Sequence, residues 1–82
     1  MDTTLLLQQL NELLHQADPS LGADVSFELL VKNNEKSPLD SLGQFEFAQL
    51  IEESFEIHIS DEELATLRKP SEALSLLQEK IR

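Results

Sequence analysis

The chain has 82 residues, 16 acids against six bases for a formal charge of −10, no cysteine, and a 40% share of apolar residues. A chain of this length makes one small domain whose core leaves little room for an internal catalytic cavity. The charge repels nucleic-acid phosphates and anionic lipid and favours basic protein surfaces, while the missing cysteines exclude disulfides, thiolate metal sites and thiol nucleophiles.

Helical spacing of Leu5, Leu6, Leu10, Leu13 and Leu14, after the possible caps Asp2 and Thr3, predicts a first helix over about residues 3 to 16. Asp18-Pro19 and Gly22 stop it. Residues 21 to 39 lack a clear period and read as a long connection, with Val25, Phe27, Leu29, Leu30 and Val31 as inward anchors and room for one short helical turn. A second amphipathic helix over 41 to 55 places Phe47, Ala48, Ile51 and Phe55 on one broad face. Glu46, Gln49 and Glu53 take the opposite side and Glu52 the flank. Phe27, Phe45, Phe47 and Phe55 are all expected in the core or at its edge.

Glu56-Ile57-His58-Ile59 reads as a short extended link. Ser60-Asp61-Glu62-Glu63 has capping-box spacing and opens a short helix over about 61 to 66. The last helix starts near Pro70, suited to a first helical position, and carries Ala73, Leu74, Leu76, Leu77 and Ile81. The expected fold is therefore all-α: a small four-helix bundle, with a short third helix and a long first loop. No segment has a basic start followed by an uninterrupted apolar core, and none approaches membrane-spanning length. The expectation is a monomeric, cytoplasmic protein that neither inserts in membranes nor binds nucleic acid.

Residues 37 to 67 hold eight acids and no Lys or Arg, and Asp40-Ser41-Leu42 opens the acidic helix inside that segment. A serine there is first a capping residue. Ser41 could take the amide of Gln44, with Gln44 returning the bond, or Asp40 could cap instead and leave the Ser41 hydroxyl free for chemistry. His15 and His58 are the two imidazoles, with no cysteine near either, and His58 between two isoleucines reads as a surface residue rather than a base for Ser41. No alternating oxygen ligands follow Asp40, so it does not begin a calcium loop. Nothing suggests a catalytic constellation.

Asp40-Ser41-Leu42 followed in register by Phe45-Glu46-Phe47, Ala48, Leu50-Ile51-Glu52-Glu53, Phe55, Ile57, Ile59 and Asp61-Glu62-Glu63 resembles the acyl carrier protein family. The likeness continues through Leu67, Ala73-Leu74 and Leu77, covering about half the chain. It implies that Ser41, flanked by Asp40 and Leu42, carries covalent 4′-phosphopantetheine installed by a phosphopantetheinyl transferase. It further implies that Glu46, Gln49, Glu52 and Glu53 face acyl-loading, condensing or acyl-transfer enzymes with basic docking surfaces. Phe45, Ile51, Phe55 and Ile59 would line or border a shelter for the acyl chain. Pro38 stands where that family usually has Gly, Leu39 replaces a small residue, Gly43 replaces an acid, and the preceding loop is about six residues longer. Those departures favour a specialised carrier over a housekeeping one. An aminoacyl or peptidyl carrier and an unmodified acidic helical adaptor are the alternatives.

Overall fold

The computed structural model describes residues 2–81 and contains five α-helices: α1 (Thr3–Ala17), α2 (Phe27–Lys32), α3 (Ser41–Phe55), α4 (Asp61–Thr66) and α5 (Pro70–Lys80). The all-α expectation holds, but the described residues form five helices rather than four, because the first connection holds α2. Ser26 caps α2 by accepting from the Leu29 amide, and Asn11 on α1 accepts from the Phe27 amide at 2.9 Å. Two side chains thus satisfy donors that a six-residue helix would otherwise leave open. With so short a segment and only Phe27 and Leu30 buried, periodicity alone showed no more than a possible turn.

Asp2, not Thr3, caps α1, accepting from the Thr4 amide at 2.7 Å. Leu6, Leu10, Leu13 and Leu14 are buried, whereas Leu5 is exposed because it falls off their stripe. Phe27 and Phe47 form a tilted ring pair with centroids 6.1 Å apart, joining α2 to α3 through one core. That core also takes Ile51, Ile59, Leu67, Ala73 and Leu77. α1 packs on α3, and α2 packs on both α1 and α5. His15 donates from Nε2 to the Val25 carbonyl at 2.8 Å, which fixes the loop ahead of α2 against α1.

The Ser60–Glu63 capping box forms in both directions, and Pro70 occupies the start of α5. Glu56 ends α3 in the left-handed region at φ 54°, a conformation usually left to Gly or Asn at a helix C-terminus. The bond from the Ile57 amide to the Glu52 carbonyl closes that turn at 3.2 Å. Among the described residues no helix is long and apolar enough to cross a membrane.

Candidate functional site at the start of helix α3

Asp40 is the cap of α3. Its Oδ1 accepts the Gly43 amide at 2.7 Å, and its carbonyl accepts the Gln44 amide at 2.9 Å. The alternative pairing between Ser41 and Gln44 does not form. Gln44 is buried instead, and its Oε1 accepts from the Ser37 hydroxyl at 2.7 Å. Ser41 is therefore the first helical residue, exposed, with its hydroxyl free of protein hydrogen bonds among the described residues. At the amino end of a 15-residue helix it stands where the backbone dipole favours an anion.

Gly43 leaves this start uncrowded. A Cβ at that position would lie 3.2 Å from the Asp40 Oδ1 and 3.3 Å from the Leu39 Cβ, so the absent side chain lets both the cap and the buried Leu39 sit close. An acid there would crowd the carboxylate that holds the turn. Leu39 and Gly43 thus pack against each other at this turn.

Beyond Ser41, the outer face of α3 carries Leu42, Phe45, Glu46, Gln49 and Glu53, all exposed and in one stripe at spacings of three and four residues. Leu42 is 68% exposed and Phe45 51%, the largest apolar side chains on this face. Placing Phe45 in the core or at its edge is corrected here. It points outward because position 45 lies about 60° from Leu42 around the helix and far from the Phe47 and Ile51 side. Phe47, Ala48 and Ile51 are buried and Phe55 is half-buried, as the amphipathic reading expected. Of the four residues expected to border an acyl shelter, Ile51, Phe55 and Ile59 join the core and Phe45 does not.

Glu52 also differs from the other acids of its helix. Its Oε2 accepts the Ile59 amide at 2.8 Å and lies 3.3 Å from the His58 Nδ1, so this side chain turns back to hold the link after α3. Reading it as a free docking acid misses that bond, which joins residues seven apart and has no helical period. His58 is exposed, and its contact with Glu52 points it at the link. Lys80 then donates to the His58 carbonyl and pairs with the Glu63 Oε1, both at 3.0 Å. The Glu63 carboxyl is held below its ordinary range, first by the Ser60 backbone amide and then by Lys80.

The arrangement presents an exposed serine hydroxyl beside a mixed apolar and acidic face. Among the described residues, no group of three His, Cys, Asp or Glu side chains is placed to hold a metal. Compared with known proteins, the chain matches no family model, no curated protein and no solved structure.

Proposed function

We propose that the protein is a non-catalytic carrier, holding an acyl group as a thioester on 4′-phosphopantetheine at Ser41 and presenting it to enzymes of fatty-acid, lipid or polyketide-like synthesis. The observation that carries this reading is the Ser41 hydroxyl, exposed and unspent at the amino end of α3 because Asp40 supplies the cap. A serine needed for the helix start would not be available for modification. The prosthetic group would supply the thiol that the chain itself lacks.

The chain's own residues supply attachment and recognition. Ser41 would hold the phosphodiester where the helix dipole favours negative charge. Leu42 and Phe45 offer desolvatable anchors to a partner, and Glu46, Gln49 and Glu53 surround them with polar and acidic groups. Such a patch suits a basic enzyme surface with an apolar pocket, where acids steer association and the apolar residues hold it. Glu52, which also holds the α3–α4 link through the Ile59 amide, borders this contact from the flank. Tethering then raises the cargo's local concentration at the partner's active site without any catalytic group on the carrier.

Incubation with a phosphopantetheinyl transferase, magnesium and coenzyme A should add one phosphopantetheinyl increment to the intact mass. Ser41→Ala should abolish it in a folded protein. No mass increase in the wild-type chain would reject the carrier and leave the acidic face as that of an unmodified adaptor.

A further inference from the structure

Three of the chain's six bases, Lys36, Arg68 and Lys69, converge with Ser37, Leu39 and Gln44 around a cleft of about 200 Å³. It lies where the α2–α3 connection meets the corner between α4 and α5. The Ser37 amide donates to the Arg68 carbonyl at 2.8 Å, fastening the two loops together. In a protein of charge −10, none of these three cations has a carboxylate within ion-pair distance among the described residues. Like charges gathered without a counter-charge repel one another unless an anion joins them.

Gln44 supplies the second observation. It is 4% exposed, and its Nε2 is a buried donor with no partner among the described residues. The Ser37 hydroxyl accepts the Leu39 amide at 3.3 Å and gives its own proton to the Gln44 Oε1 at 2.7 Å, an arrangement that leaves the Gln44 NH2 unspent. Gln44 lines the cleft together with Ser37 and Leu39. Buried polar groups nearly always find partners, and a donor left over beneath three cations calls for an acceptor. Lys69 is also the N-cap residue of α5, which has no side-chain cap and begins with Pro70, so the positive end of an 11-residue helix abuts the same corner.

We infer that this cleft binds a phosphate group, held by Arg68, Lys69 and Lys36 over the Gln44 amide. Arg offers a planar fork of donors that matches phosphate oxygens, and the two lysines add charge from either side. The site stands independently of the carrier reading. Its phosphate comes either from a free phosphorylated small molecule or from a phosphoester attached elsewhere on the chain, and the two sources separate experimentally.

The test is a titration of the isotope-labelled protein with inorganic phosphate, followed by amide resonances and matched against chloride at equal ionic strength. The Gln44 side-chain NH2 and the backbone amides of Ser37, Lys69 and Ser71 should move along one saturable curve in phosphate alone. Arg68→Ala combined with Lys69→Ala alters exposed side chains and should weaken binding at least tenfold with an unchanged melting curve. Gln44→Met should also weaken it. Shifts that never saturate, that appear equally in chloride, or that survive the double substitution would overturn the site. Repeating the titration after modification at Ser41 assigns the source: weakened binding identifies the attached phosphoester as occupant, and unchanged binding a free phosphate. A chain that resists modification but binds phosphate would reject the carrier and keep this site.

Discussion

Replacing Glu52 separates a structural acid from its exposed neighbours. In Glu52→Ala the Ile59 amide loses its 2.8 Å acceptor, and the link between α3 and α4 loses the side chain that closes it. Hydrogen bonds to a charged partner contribute about 1.5–3 kcal/mol, and the low end applies because the Glu52 side chain is 30% exposed and solvent screens it. A loss of about 1.5 kcal/mol lowers Tm by about 6–12 °C in a domain of this size. Glu46→Ala and Glu53→Ala should each change stability by less than about 0.5 kcal/mol, as exposed positions without partners generally do. Glu52→Gln, which retains an acceptor oxygen, should fall between. Thermal and urea unfolding followed by circular dichroism at 222 nm read all four on one scale. Equal stabilities for Glu52→Ala and Glu53→Ala would refute the assignment of Glu52 to the link.

At the start of α3, Asp40→Ala should cost about 1 kcal/mol through loss of the cap, whereas Ser41→Ala should leave the urea midpoint almost unchanged. Reversed rankings would make Ser41 the cap. Because the folded-state pKa of Glu63 is depressed, its stabilisation is present above its ordinary value of 4.5 and is lost as pH falls below that value. Glu63→Gln should therefore flatten the acid limb of a stability–pH curve, and an unchanged limb would reject that linkage. Leu42→Ser with Phe45→Ser should leave Tm within a few degrees while slowing loading by a partner transferase, measured as initial rate; an unaffected rate would move docking off this face. Glu46→Lys with Glu53→Lys should slow the same reaction most at low salt, where charge steering is strongest.

Helix α3 was legible because Phe47, Ala48 and Ile51 repeat at helical spacing against Glu46, Gln49 and Glu53, and local spacing decides which side is buried. The capping box at Ser60 and the proline at the start of α5 were legible for the same reason, since both are local chemistry. What escaped is non-local. The Asn11 bond to the Phe27 amide crosses 16 residues and helps hold α2 as a helix. Gln44 looked like a returning partner for a Ser41 cap, but its side chain entered the interior to meet Ser37. Phe45 is the instructive miss: its position around the helix pointed outward, and its apolar character alone argued otherwise.

Lys80 gives the carboxyl-terminal helix an unusual share in the protein's local dynamics. One ammonium group holds the His58 carbonyl and the Glu63 carboxylate, while that same Glu63 accepts the Ser60 amide at the start of α4. Fraying of the last turn of α5 would release both Lys80 contacts together, so the helix end and the link should loosen in concert. Amide exchange at Ser60, whose acceptor Glu63 pairs with Lys80, and at Ile81 should then rise together, despite the 22 residues that separate Lys80 from His58. A terminal turn, ordinarily the first part of a helix to loosen, here shares its ammonium group with the segment behind α3.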